Sequence, residues 1–75
     1  MFFLFAWSEY DAYGGLGDLR GTYASEEAAK QAFESRLSEG SFWDSAEVVT
    51  VRAGNLVIVA EWDTYAEKPG WILPV

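Results

Sequence analysis

The sequence predicts an α+β fold in which one helix packs on an antiparallel sheet of three or four strands. Three observations lead to this prediction: an aromatic, apolar run opens the chain, a single capped helical segment follows it, and two β-branched runs come next. The expected order is β–(β)–α–β–β, with the short second strand in parentheses. With 75 residues, the chain is expected to form a single compact domain over residues 1–75.

The first predicted strand spans residues 2–8, FFLFAWS, and is apolar at nearly every position. Successive side chains of a strand point to opposite faces of the sheet. We therefore expect this strand to be covered on both faces. A short second strand is predicted at the end of the glycine-rich stretch that follows, over residues 19–23, LRGTY.

The helix is predicted at residues 25–39 because both of its ends carry the expected signals. Ser25 is the predicted N-cap, Glu26 and Glu27 occupy the first turn where they favour the helix dipole, and Gly40 ends the helix. The apolar side chains recur at helical spacing and would form one buried stripe: Ala28, Ala29, Ala32, Phe33 and Leu37.

Residues 47–52 and 56–62 are predicted to pair as an antiparallel hairpin. Gly54-Asn55 lies between the two runs and is a favourable turn pair. Both faces of the second run are apolar, so we expect a central strand with Ile58 in the core. The remaining segment turns at Pro69-Gly70 and is interpreted as an apolar tag.

The composition argues against catalysis. The chain has no histidine and no cysteine, so the commonest general base and the strongest protein nucleophile are both missing, and no thiolate can hold a metal. A chain this short also has little volume in which to enclose a substrate. We therefore expect a protein that is not an enzyme and that uses no cofactor and no metal ion.

The charge balance is acidic, with twelve Asp and Glu residues against five Lys and Arg residues, which gives a net charge of −7. Such a chain is repelled by nucleic-acid phosphates and by anionic membranes, so neither is an expected partner. The opening apolar run lacks the basic residues and the length of a secretion signal or a membrane span. We expect a cytoplasmic protein whose acids either keep it soluble or address a basic surface on a partner.

The stretch YDAYGGLGDLRGTY, at residues 10–23, holds four glycines and poses the main functional question. Its glycine spacing is one residue too long for a dinucleotide fingerprint, and no lysine follows the last glycine as a P-loop requires. Glu9, Asp11 and Asp18 would repel a bound phosphate, and their spacing does not match an EF-hand. The stretch is therefore interpreted either as a connection between strands or as an acidic contact loop.

The run YDAYGGLGDLRGTYASEEA resembles a pattern found in small uncharacterised tailed-phage proteins. The resemblance covers about residues 3–30, and the matching positions are Tyr10, Asp11, Gly14, Gly15, Asp18, Gly21, Thr22, Tyr23, Glu26 and Glu27. It implies a phage or prophage origin and no catalytic activity. Small acidic phage proteins are often inhibitors of host machinery, including anti-CRISPR and other anti-defence proteins. The resemblance thus implies an inhibitor that acts in the host cytoplasm, and the net charge permits mimicry of nucleic-acid charge.

Seven residues are the predicted contacts with a host or defence-system protein that has a basic surface. They combine carboxylates with the aromatic side chains that commonly anchor interfaces: Glu9, Tyr10, Asp11, Tyr13, Asp18, Trp43 and Asp44. Two alternatives stay open. One is a self-associating structural or accessory phage protein, a homodimer with residues 2–7 or 71–75 at the contact. The other is a protein that sequesters a small signal molecule in a pocket holding Arg20 or Arg52.

Overall fold

A computed structural model describes residues 1–8, 15–40 and 43–72, and close to half of these residues belong to one sheet. All neighbouring strands run antiparallel, in the spatial order β2-β1-β3-β4-β5. A short 3₁₀ helix, Gly15–Asp18, precedes β2, and the α-helix α1 spans Glu26–Ser38. The strands are β1 (Phe2–Trp7), β2 (Leu19–Tyr23), β3 (Ser45–Arg52), β4 (Asn55–Asp63) and β5 (Gly70–Ile72).

The predicted fold class is wrong. Instead of a helix on three or four strands, the described residues form a sheet-dominated fold with five strands and one short α-helix. β5 was not predicted, because three residues are too few to show an alternating pattern. β5 is a strand because its backbone pairs with residues 61–63 of β4. The spatial order also differs from the chain order, since β1 lies between β2 and β3.

The ends of α1 have local causes. Ser25 has an extended backbone, and its Oγ accepts a hydrogen bond of 3.1 Å from the backbone N–H of Ala28, which satisfies one free donor of the first turn. The chain leaves the helix through Gly40, whose φ of 85° is a conformation that glycine adopts without strain. Ala29 and Phe33 are fully buried and hold the helix against the sheet.

The core lies between α1 and one face of the sheet, which we call the helix face. Phe33 is at its centre, with ring centroids 5.3 Å from Trp62, 5.5 Å from Trp71 and 6.3 Å from Trp43. Large aromatic rings give a short chain enough buried area to fold. The fully or almost fully buried residues of this core are Leu4, Ala6, Ala29, Phe33, Ala46, Val48, Val59 and Ala60.

The β3–β4 hairpin turns at Ala53 and Gly54, one residue earlier than the predicted pair Gly54-Asn55. Both turn residues have positive φ, 50° and 80° respectively. A two-residue turn of this kind matches the twist of the strands that it joins. Glycine adopts positive φ freely, whereas an alanine there costs about 1–2 kcal/mol.

Ile58 is not in the core, contrary to the prediction. Its side chain is 38% exposed, and its cross-strand partner is Val49, on the face of the sheet away from α1. Residues 55–60 of β4 pair with β3 alone in the described part of the chain, because β5 reaches only residues 61–63. Apolar residues on both faces of β4 predicted two covered faces, and α1 covers one of them.

β1 is an interior strand and not an uncovered edge, and a dimer contact at residues 2–7 stays a prediction. All six residues of β1 pair with β3, and residues 2–5 pair with β2 on the other side. The second predicted contact, residues 71–75, extends beyond the described residues at its end. No helix in the described ranges is long and apolar enough to cross a membrane.

Candidate interaction surface

The face of the sheet opposite α1 carries no α-helix in the described part of the chain, and we call it the open face. Strand pairing places its side chains in four rungs, each made of residues that lie directly across neighbouring strands. From the β3–β4 hairpin to the opposite end, the rungs are Val51 and Leu56; Thr22, Phe3, Val49 and Ile58; Leu19, Phe5, Glu47, Glu61 and Ile72; and Trp7, Ser45 and Asp63.

The hairpin end of the open face is an exposed patch of aliphatic side chains. Val51, Leu56 and Ile58 are exposed by 53%, 75% and 38%. Single exposed aliphatic residues are ordinary on protein surfaces, but Val51 lies directly opposite Leu56 and diagonally opposite Ile58, so the three form one surface. Contiguous apolar surface with polar neighbours is typical of contact sites. We call these three residues the aliphatic patch.

The third rung holds two like charges. Glu47 of β3 and Glu61 of β4 lie directly opposite each other, and we call them the acid pair. Phe5 and Ile72 flank the pair on the neighbouring strands. Burial raises the pKa of Glu47 above its usual range, and the negative charge of Glu61 raises it further. The acid pair therefore weakens the fold, because like charges opposite each other on a sheet repel.

A shallow depression of about 280 Å³ lies beside the acid pair. Because the depression is shallow, it would leave much of a bound metabolite in water, whereas the end of a side chain of a partner could enter it. The described residues contain no group of three or more acidic, histidine or cysteine side chains placed to hold a metal ion. The lining residues are Trp7, Ser45, Ala46, Glu47, Glu61, Trp62, Asp63 and Ile72.

Basic side chains lie over the aromatic rings of the helix face. The guanidinium groups of Arg20 and Arg36 lie 5.1 and 5.3 Å from the ring centroid of Trp43, and the ammonium group of Lys30 lies 5.6 Å from that of Trp71. Such cation–π contacts hold the cations in place. Within residues 1–8, 15–40 and 43–72, no ion pair reaches the acid pair. These three cations therefore lie over rings of the helix face and not beside the acid pair.

Glu47→Gln is expected to raise the free energy of unfolding at neutral pH by about 0.5 kcal/mol, because it removes a partly buried charge and also its repulsion by Glu61, both of which water partly screens. The raised pKa means that the folded state binds the Glu47 proton more tightly than the unfolded state. Ionisation therefore destabilises the fold as the pH rises through the raised pKa, and the gain from Glu47→Gln disappears below the usual value of 4.5. Urea melts of both proteins across this pH range would measure the difference.

Glu34→Gln is the matched control for that experiment, since Glu34 is an exposed residue of α1. Its substitution removes the same charge and should leave the free energy of unfolding nearly unchanged. Phe5 lies opposite Glu47 on β1 and carries no charge that would offset the repulsion between Glu47 and Glu61. An equal gain from the two substitutions would mean that net charge, and not the acid pair, causes the effect.

Three of the seven predicted contact residues lie in the described part of the chain, and none of these three belongs to the four rungs of the open face. Asp18 ends the 3₁₀ helix and is only 5% exposed. Trp43 is partly buried and stacks on Phe33, and Asp44 accepts a hydrogen bond of 2.9 Å from the Tyr65 hydroxyl. The remaining four lie outside the described residues: Glu9, Tyr10, Asp11 and Tyr13.

The open face was not predicted from the sequence, because apolar residues on both faces of the strands indicated core on both sides. A signal was present: Glu47 and Glu61 interrupt apolar runs, and a charge at such a position indicates a face that meets water. The sequence does not predict that Glu47 and Glu61 lie opposite each other, because this pairing depends on a strand register that shifts between Val48 and Val49.

A comparison with protein families agrees with the phage origin that the sequence implies. Residues 2–60 match the model of a family described as Bacteriophage T4 protein Y07C, a span that runs from β1 through most of β4. No curated protein and no solved structure matches the chain. The match covers more than half of the 75 residues, and the chain therefore belongs to the Y07C family of phage proteins.

Proposed function

We propose that this phage protein binds and inhibits a host or defence-system protein, and that the open face is its contact surface. The observation that supports the proposal is the presence of the aliphatic patch and the acid pair on the sheet face that α1 does not cover. Exposed aliphatic surface lowers solubility, and opposed like charges lower stability. A partner that covers both would remove both costs, so the arrangement suits a contact surface better than an inert one.

A basic target is favoured over a nucleic acid. Three carboxylates lie on the open face, Glu47, Glu61 and Asp63, and they would repel phosphates. A protein surface that binds nucleic acid through Lys and Arg would instead attract these carboxylates. In this sense the carboxylates of the open face would mimic the charge of nucleic acid. Anti-CRISPR or other anti-defence activity is one form of it. The site of action would then be the host cytoplasm, where such targets lie.

A binding role is favoured over catalysis by the chemistry of the chain. Without histidine and cysteine, the carboxylates are the remaining candidates for acid–base work. The carboxylates of the open face lie around a shallow depression, which would leave a reacting group in contact with water. We therefore propose no enzymatic activity, cofactor or metal ion.

The test is affinity capture from a lysate of the bacterial host with the parent protein and two variants. Leu56→Thr with Ile58→Thr replaces the aliphatic patch by polar residues that suit a strand. Gln31→Ala with Ser35→Ala changes two exposed residues of α1 instead. We expect the parent and the α1 variant to capture the same host protein and the patch variant to lose it, while circular dichroism shows that all three are folded.

Each other outcome has a definite meaning. Equal capture by all three proteins would show that the contact lies away from the open face. The absence of any host protein above the tag-only background would contradict the binding function itself. Sedimentation of the purified parent tests the self-association alternative: a dimer that the patch variant converts to a monomer would favour a structural or accessory role over inhibition.

A further inference from the structure

We infer, resting on the proposed function, that the acid pair binds a lysine or arginine side chain of the partner. The aliphatic patch then contacts an apolar side chain of the same partner. The occupant of the open face is thus a protein segment with cationic and apolar side chains on one of its faces. The juxtaposition of an unneutralised acid pair and an exposed aliphatic patch on the same sheet face carries this inference.

Charge selects this occupant over a second copy of the chain. The four rungs of the open face contain three carboxylates and no lysine or arginine. Two open faces packed against each other would therefore bury carboxylates without any cation, and unpaired buried charge is strongly unfavourable. The net charge of −7 adds long-range repulsion between copies. A cationic segment reverses both effects.

The surroundings of the acid pair strengthen its attraction for a cation. Phe5 and Ile72 lie on either side of Glu47 and Glu61, and the depression beside them can admit the end of a long side chain. Apolar flanks lower the local dielectric, so a charge in this position interacts more strongly than one in open water. A cation placed there would also offset the repulsion within the pair.

The spacing along β3 sets the pattern that the partner must present. Glu47, Val49 and Val51 lie on the open face at two-residue steps, and each step spans about 6.6 Å. The aliphatic patch is thus one to two steps from the acid pair. An extended segment matches this spacing when a lysine is followed by leucines two and four residues later, because alternate residues of a strand share a face.

The test is an NMR titration of the parent protein with a synthetic peptide of this pattern, in which lysine and leucines alternate with serine. A second peptide carries acetyllysine, which removes the charge and keeps the stem. We expect the lysine peptide to shift backbone amides of the open face and to bind about tenfold or more tightly than the acetyllysine peptide. Glu47→Gln with Glu61→Gln should abolish this preference without lowering stability.

The matched control is Glu34→Gln with Glu67→Gln, which removes the same two negative charges at two exposed positions outside the four rungs of the open face. This control variant should keep the preference for lysine. If both double variants lost the preference for the lysine peptide equally, general charge attraction would explain the preference, and the inference would be overturned. Amide shifts confined to the helix face, or no shifts, would also overturn it.

The same variants separate this inference from the proposed function. If capture from the host lysate is lost with Leu56→Thr and Ile58→Thr but kept with Glu47→Gln and Glu61→Gln, the open face is the contact surface and the inferred cation is wrong. If both variants keep capture, the proposed contact surface is wrong as well.

Discussion

Phe33→Ala is expected to lower the free energy of unfolding by about 3–5 kcal/mol, a large part of the total stability of a small domain. Phe33 is fully buried, and three tryptophan rings lie within 5.3 to 6.3 Å of its own ring. These rings belong to different segments of the chain: Trp43 precedes β3, Trp62 lies on β4 and Trp71 on β5. They cannot all move inward together, so the truncation would leave a cavity.

Ile58→Ala is the comparison for this experiment, because Ile58 is 38% exposed on the open face. We expect it to cost about 1 kcal/mol or less. Urea melts followed by tryptophan fluorescence would measure both variants under one condition. Equal costs for the two truncations would mean that the open face is a second core, covered in solution, and would contradict its assignment as a contact surface.

Arg20→Ala is expected to cost about 2–3 kcal/mol, which is large for an arginine near the surface. The Nε of Arg20 donates a 2.8 Å hydrogen bond to the carbonyl of Ala6, a fully buried residue. The pairing of β1 with β2 shifts register between Leu4 and Phe5, so this carbonyl lies next to an irregular part of the ladder. The side chain supplies the bond there, and its removal leaves a buried acceptor unsatisfied.

Arg52→Ala removes the same charge from an exposed residue at the hairpin and should change stability by about 0.5 kcal/mol or less. Thermal melts of the two variants would therefore differ clearly. A mild effect of Arg20→Ala, equal to that of Arg52→Ala, would contradict the structural role of the Arg20 bond. That result would also favour the alternative in which Arg20 lines a pocket and binds an anionic small molecule.

The sequence by itself determined the features that depend on near neighbours in the chain. Ser25 and Gly40 mark the ends of α1 because capping acts over three or four residues. The β3–β4 hairpin was found from two β-branched runs that a short turn joins, although its turn residues were misplaced by one position. The acidic charge and the phage origin were also readable from the sequence, and the family match supports the latter.

The tertiary structure alone decided the strand order, the fifth strand and the location of the candidate site. Alternation along a strand indicates how each face is composed, but it does not say which apolar face a distant helix will cover. α1 has 13 residues and covers one face of the five-stranded sheet in the described chain. Ile58 and Leu56 are therefore exposed although their runs resemble core strands. The acid pair is likewise a product of long-range register, since Glu47 and Glu61 meet only when β3 and β4 align around their bulge.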